Sequence, residues 1–471
     1  MPICNSLGMS LPLIKYTLAL FLIYPFASLL RVMPGKNLKH LFSMLGGMFL
    51  VQWIFGPDWI HSFASSAVTY LLCIVSPGKS LPRIAFLWVM GYMTASHIYR
   101  MYVAYMTGEF DFTGTQMVLT MKLTSFAYNY YDGTADKKNV FPEKPYDDKK
   151  KAKIYSDRQR FAITKLPNPL EYFGYVFCFT CLLCGPAFEY NDYVRSIDGT
   201  SFKGSKGQTL SAPSFLPGLS RLLIGIICLA GHLVLSASYS LKMIYNSNFI
   251  QSNGYLYRYI YLIVALFAER LKYYFAWKIA EGSSILGGFG FEGFDKSDKP
   301  IGWKGVENID MIGFETAPNI QTLSRVWNKR TQGWLERYTY NRSGRSLLIT
   351  YFISAFWHGL YPGFFLFFMS VPLLTEIERA IKQKINPIIV PGYDGYNNST
   401  YPNTFIAKIY WVLSCFMVMI SMSFIVQTFS MGSWINCHAA LGSFHYIPYM
   451  VFIAFYILLL AMPSGGKKKS A

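Results

Sequence analysis

The sequence predicts an all-α fold, a polytopic integral membrane bundle of helices, and three observations carry that prediction. Hydrophobic residues fill 52% of the 471 positions and charged residues only 14%, which is too apolar for an ordinary soluble chain. Apolar runs recur near 11–32, 38–56, 59–75, 82–106, 170–188, 219–240, 255–280, 347–374, 405–429 and 446–462, and crossing a hydrocarbon core of about 30 Å takes about 20 such residues. Aromatic residues make up 18% and cluster at Tyr255, Tyr257, Tyr259 and Tyr261 and at Tyr273, Tyr274 and Trp277, which suits the membrane interface.

Taken in order, these runs give about nine to eleven hydrophobic segments, some broken or re-entrant. Gly, Pro and polar residues interrupt the pattern over 38–75 and 112–131. The run 11–32 is nearly a full span and is followed by further spans, so despite Lys15 it reads as a first transmembrane helix and not a cleaved signal peptide. The stretches 190–218 (Ser, Gly and Pro) and 383–404 (Pro, Gly, Asn and Tyr) read as loops between spans. No fixed-period repeat and no separate soluble domain is visible, so residues 1–471 read as a single membrane domain.

The formal charge is +18, and basic residues concentrate in 137–165, with Lys137, Lys138, Lys144, Lys149, Lys150, Lys151, Lys153, Arg158, Arg160 and Lys165. The positive-inside bias places this loop in the cytosol. There it attracts anionic lipid headgroups or a polyanionic substrate. Nucleic acid is a poor partner, because no aromatic-basic binding module stands apart from the spans.

The tail Gly465-Gly466-Lys467-Lys468-Lys469-Ser470-Ala471 reads either as a dilysine retrieval signal of the endoplasmic reticulum or as a plain basic anchor. Both readings put it in the cytosol, at residues 463–471. Counting spans back from it leaves 383–404 cytosolic, so the glycosylation-type triplets at Asn397 and Asn398 face the wrong compartment and carry no glycan. The eight cysteines form no disulfide framework, and Cys178, Cys181 and Cys184 read as small buried hydrophobes, with no metal site.

One histidine stands out. His358 interrupts the apolar run Ser354-Ala355-Phe356-Trp357-His358-Gly359-Leu360-Tyr361-Pro362-Gly363, and an ionisable group at membrane depth costs several kcal/mol, about 2.5–3.5 or more, so it marks function by default. The structural alternative is a histidine hydrogen-bonded across helices. The polar block Trp327-Asn328-Lys329-Arg330-Thr331-Gln332-Gly333-Trp334-Leu335 is its expected partner. Trp327 and Trp334, seven apart, would share one helical face as packing or interfacial anchors. Arg337 and Arg342, with Tyr338 and Tyr340, are candidates to grip a phosphate through two guanidinium donors, or to anchor at the interface. Asp132 and Glu281 read as members of structural salt bridges.

Trp327-Asn328…Trp334-Leu335 followed by Ser354-Ala355-Phe356-Trp357-His358-Gly359 resembles the signature of the membrane-bound O-acyltransferases. Further blocks resemble the lysophospholipid acyltransferase branch, with the fungal broad-specificity type nearest: Trp357–Gly363, Arg337–Arg342, Gly185-Pro186-Ala187-Phe188-Glu189-Tyr190 and Met121–Gly133. The resemblance runs from about 82 to 430. It implies transfer of a fatty acyl group from acyl-CoA to the sn-2 hydroxyl of a lysophospholipid, in the endoplasmic-reticulum membrane, with no metal or bound cofactor. It also implies catalytic roles for His358 and Asn328 and a substrate-binding surround of Trp327, Trp334, Arg337, Tyr338, Tyr340, Arg342, Ser354, Trp357, Gly359 and Pro362.

The residues suit that chemistry. A hydroxyl is a weak nucleophile until a base takes its proton, and an apolar setting lowers the imidazole pKa from about 6.5, keeping His358 neutral. The Asn328 amide either holds the acceptor hydroxyl, donates to charge developing on the thioester carbonyl, or caps a helix break. Gly359 and Pro362-Gly363 leave room beside the histidine for an acyl chain. Acylation of diacylglycerol, a sterol or a protein is the same-chemistry alternative, although the His-Glu-Tyr element of the first two branches is absent. A proton-coupled transporter or lipid scrambler is the alternative from another class, favoured by inverted repeats, of which none is apparent. Headgroup preference and oligomeric state are not legible.

Overall fold

The computed structural model of the chain describes residues 10–107, 110–135, 149–390 and 404–462. The lysine tail, the triplets at Asn397 and Asn398, and Lys137, Lys138 and Lys144 lie outside them.

The described residues are helical almost throughout. In chain order the helices are α1 (Leu11–Val32), α2 (Lys36–Phe55), α3 (Trp59–Val75), α4 (Leu81–Val103), α5 (Thr113–Thr134), α6 (Lys149–Phe161), α7 (Pro169–Val176), α8 (Phe179–Leu182), α9 (Tyr190–Ile197), α10 (Phe215–Ser238), α11 (Ser247–Ser252) and α12 (Tyr255–Leu286). They continue as α13 (Met311–Glu315), α14 (Ile320–Val326), α15 (Lys329–Trp334), α16 (Leu347–His358), α17 (Pro362–Lys384), α18 (Asn386–Ile389), α19 (Phe405–Met431), α20 (Trp434–Gly442) and α21 (Ile447–Ala461). A π-helical turn, Leu335–Thr339, and a 3-10 turn, Tyr340–Arg342, follow α15.

Among the described residues four stretches are long and apolar enough to cross a membrane: Leu11–Val32, Lys36–Val75, Phe215–Tyr245 and Phe405–Met431; α20 and α21, bent by 75°, make a fifth if they count as one. The nine to eleven hydrophobic segments expected include broken ones, and the structure shows where several are joined or broken. The expected 38–56 and 59–75 runs join through the short turn Gly56–Asp58. The 170–188 run breaks into α7 and α8, and the 347–374 run breaks after His358. The helix α12 carries Arg258, Glu269, Arg270, Lys272, Lys278 and Glu281 within an otherwise apolar sequence. Two expected loops are also partly helical: 190–218 begins with α9, and 383–404 takes in the end of α17 and all of α18.

The chain that reads as one membrane domain divides into two compact units. The first comprises Met1–Leu229, Tyr273–Ile309 and Lys329–Arg345, and the second Ala230–Lys272, Asp310–Asn328 and Ser346–Ala471.

In the first unit α5 is the central element, buried along nearly its whole length although its sequence is rich in polar residues. Buried polar groups must be hydrogen-bonded, and they are. Thr120 and Thr124 donate to the carbonyl oxygens one turn back, at 2.9 and 2.6 Å. Gln116 donates to Ser65 Oγ at 2.9 Å, and the Lys122 ammonium donates to the carbonyl oxygens of Tyr175 and Val176 where α7 ends. Glu281 is ion-paired with Lys278 and Arg221 and accepts the backbone N–H of Asn308 at 2.8 Å, the structural role expected of it.

In the second unit α17 is central. It packs against α16, α19 and α21, and its Ser370 hydroxyl lies 2.7 Å from that of Tyr449 on α21. Arg258 donates to Ser443 O, and Tyr259 donates to Ile420 O at 3.1 Å, fixing the second-unit part of α12.

Candidate active site

His358 is the last residue of α16. The helix starts at Ser346, whose hydroxyl accepts the Ile349 N–H at 3.2 Å. It stops because Gly359 adopts φ +131°, a conformation that side-chain-bearing residues rarely take. Pro362 then begins α17, as suits a residue without a backbone N–H at the first helical position. The two helices form a hairpin held by Phe352 and Phe356 against Phe365, with centroids 5.8 and 6.1 Å apart.

The hairpin presses on α19 at Gly363. Its N–H donates to Gly432 O at 2.8 Å, and a Cβ there would lie 2.1 Å from Thr428 O, so only glycine allows this approach. That contact brings Phe429 to the histidine. The half-buried His358 ring has Trp357, Phe429, Phe368 and Phe364 around it, at centroid separations of 4.7, 5.0, 5.1 and 6.0 Å. Ser354 and Trp357 are buried on the preceding turn.

Asn328 belongs to the same unit. The helix α14 is capped by Asn319, which accepts the Thr322 N–H at 2.7 Å, and ends at Trp327 in extended conformation. Asn328 itself adopts φ +42°, a left-handed position that asparagine tolerates better than most residues. Trp327 packs on Phe314, 4.8 Å away. The Arg270 guanidinium holds the Glu315 carboxylate at the end of α13 through two bonds of 2.9 and 2.8 Å. Glu378 on α17 accepts the Ile320 N–H at the start of α14. One helix therefore supports both candidates: α17 packs its first turns on His358 and anchors the helix that ends at Asn328.

The left-handed break at Asn328 overturns one expectation. Trp327 and Trp334 do not share a helical face, because Trp327 closes α14 and Trp334 closes α15.

Trp334, Arg337, Tyr338 and Arg342 lie in the first unit, where they run alongside α5 in constant register. Thr331 meets Met121 Sδ at 3.3 Å, and Trp334 Nε1 donates to Thr124 Oγ1 at 2.9 Å. The Tyr338 hydroxyl donates to Asn129 Oδ1 at 2.9 Å, and Arg342 holds both oxygens of Asp132. Asn129 in turn donates to Glu189 Oε2 at 2.9 Å, while Arg337 donates to Glu189 Oε1 at 2.8 Å. Burial works against charge on Arg337, but Glu189 beside it more than offsets this and holds the guanidinium above its ordinary pKa. The two arginines considered for a substrate phosphate are thus committed to internal carboxylates, although the Nε of each is without a hydrogen-bond partner. Asp132 has the salt-bridge role expected of it. Tyr340, on the 3-10 turn, is partly exposed.

Apart from the salt bridge expected of Asp132, the sequence assigns no roles within Met121–Gly133 and Gly185–Tyr190. Their buried polar side chains, Thr124, Asn129, Asp132 and Glu189, are the partners of the 331–342 segment. For the first three, the available signal was polar residues recurring at three- to five-residue intervals along one helix.

Together these features define a helical, multi-pass membrane protein whose most distinctive group is a histidine at a helix end among aromatic rings. The chain belongs to the membrane-bound O-acyltransferase family, whose model matches residues 98–391, a span that contains both Asn328 and His358. It is 32% identical over 421 residues to a lysophospholipid acyltransferase of Schizosaccharomyces pombe, covering 86% of this chain and 78% of that one. It is 29% identical over 455 residues to a lysophospholipid acyltransferase of Saccharomyces cerevisiae, covering 91% and 70%. It is 30% identical over 399 residues to lysophospholipid acyltransferase 1 of Arabidopsis thaliana, covering 81% and 82%.

Proposed function

We propose that this protein is a lysophospholipid acyltransferase that moves a fatty acyl group from acyl-CoA to the free sn-2 hydroxyl of a lysophospholipid in the endoplasmic-reticulum membrane, with its carboxyl-terminal tail in the cytosol. The observation that carries the reading is the setting of His358, a titratable ring at a glycine-broken helix end, packed among Trp357, Phe364, Phe368 and Phe429. The names of the fungal and plant relatives supply the acceptor class.

In this reading the neutral imidazole of His358 takes the proton of the acceptor hydroxyl as its oxygen attacks the thioester carbonyl. The carbon–oxygen bond forms, the carbon–sulfur bond breaks, and the proton passes to the departing thiolate of coenzyme A. General-base assistance of this kind contributes about 10²–10⁴ in rate. Asn328 holds the acceptor or donates to the carbonyl oxygen as charge develops there, and losing one such donor costs about 2.7–4 kcal/mol. Aromatic walls exclude water from the reacting atoms and favour acyl transfer over hydrolysis. The chemistry uses no metal or bound cofactor; acyl-CoA is a co-substrate.

The test is transfer of labelled oleoyl groups from oleoyl-CoA to a panel of lysolipids by purified protein in nanodiscs. His358→Ala is expected to abolish labelling. Asn328→Gly, which tolerates the left-handed backbone but lacks the amide, is expected to lose activity as fully as Asn328→Ala; an active glycine variant would show that the backbone conformation is what matters. Failure of the unmutated protein to label any lysolipid would overturn the proposed acceptor.

A further inference from the structure

We infer that the first unit carries a second anion site, separate from the His358 surround, that binds a phosphate ester at the Arg31–Lys39 cavity. This cavity has a volume of about 200 Å³, and its walls include Arg31, Lys39, Ser196, Phe202, Thr209 and Ser211. Arg31 lies in the last turn of α1 and Lys39 in the first turn of α2. Both therefore sit at the ends of membrane-length helices, the depth at which lipid phosphates and water are found.

The two cations differ from the basic groups of this unit that are neutralised by a carboxylate, and Lys39 also differs from Lys122 and Arg330, whose side chains donate to backbone carbonyl oxygens. Lys278 and Arg221 face Glu281, Arg337 faces Glu189, and Arg342 faces Asp132. Among the described residues neither Arg31 nor Lys39 has a carboxylate partner. Two like charges lining one cavity repel each other, and an anion between them removes that cost.

The Arg31 guanidinium is also preorganised. It lies 4.5 Å from the centroid of the Phe202 ring and 5.7 Å from that of Trp303. Its Nη2 donates to Ala212 O at 3.1 Å, while Nη1 has no hydrogen-bond partner. A planar guanidinium held by stacking loses little freedom on gripping phosphate oxygens. The Thr209 and Ser211 hydroxyl groups in the walls add neutral donors, Ser196 already donating to Asp192 O, and Phe202 offers an apolar surface to the organic part of an ester. Tetrahedral phosphate, with several acceptor oxygens, suits this set better than a lone carboxylate.

Two sources share this chemistry, a phospholipid headgroup and a soluble phosphate compound. Melting of the full-length protein in detergent micelles separates them, with titration of dioleoyl phosphatidic acid mixed into the micelles, of coenzyme A, and of inorganic phosphate. At least one probe is expected to raise the melting temperature saturably. Lys39→Gln and Arg31→Gln are each expected to weaken that response about tenfold, the scale of one charge-assisted hydrogen bond. Lys39 has no side-chain hydrogen bond or ion pair among the described residues, so its variant is expected to fold even if the arginine variant does not. A response to phosphatidic acid alone assigns a headgroup, and a response to coenzyme A or phosphate assigns a soluble ligand. His358→Ala is expected to keep the response, which separates this site from the proposed reaction. No response to any probe, or one equally strong in both cavity variants, overturns the inference.

Discussion

The segment 331–342 and the hairpin around His358 set polar groups in an apolar protein in different surroundings. In the first, Trp334, Arg337, Tyr338 and Arg342 are matched one by one to Thr124, Glu189, Asn129 and Asp132. In the second, a single titratable ring is walled by Trp357, Phe364, Phe368 and Phe429. A network of paired groups fixes register and fold, because a member that loses its partner is costly. On the proposed function, the imidazole among rings is the group that takes a proton. On the proposed function, the contrast sets stability in one region and chemistry in the other.

The largest expected effect breaks the chemical side. His358→Ala should lower acyl transfer by about 10²–10⁴, measured as labelled product per folded molecule. Next comes Asp132→Ala, which leaves the Arg342 guanidinium uncompensated in a buried setting. Removing one partner of a buried pair costs about 3–5 kcal/mol, so the folded yield by size-exclusion chromatography and the melting temperature should both fall sharply.

Gly363→Ala drives a methyl group toward Thr428 O, and overpacking typically costs about 1–3 kcal/mol. Because it parts α17 from α19 beside the histidine, it should lower both melting temperature and transfer rate, which links the two regions' tests. The smallest effect is Trp334→Phe. It keeps the ring but loses the bond to Thr124, so a stability loss of about 0.5–1.5 kcal/mol is expected, with transfer per folded molecule unchanged.

The chemical side was the more legible in sequence. A histidine inside an apolar run, followed by glycine and proline, announces itself, and the helix does break where Gly359 and Pro362 stand. The long apolar runs 11–32, 219–240 and 405–429 were readable by length alone and correspond to helices. The matched network was not readable, because its partners lie 148 to 210 positions apart and pair through a register that only the folded chain fixes. The break at Asn328 was half legible: Trp327 and Trp334 have ordinary helical spacing, while the asparagine between them, a residue suited to a helix break, was the local hint. The site around Arg31 was hidden, since its walls come from α1, α2 and two distant loops.

The central claim is tested most directly by measuring folded fraction and transfer rate per folded molecule on the same preparations of unmutated protein, His358→Ala and Asp132→Ala. The account predicts that the histidine variant melts like the unmutated protein yet transfers no acyl group above background. It also predicts that the aspartate variant loses folded protein while the molecules that remain folded keep their rate. A histidine variant that transfers at the unmutated rate, or that loses activity only in proportion to lost fold, would contradict it.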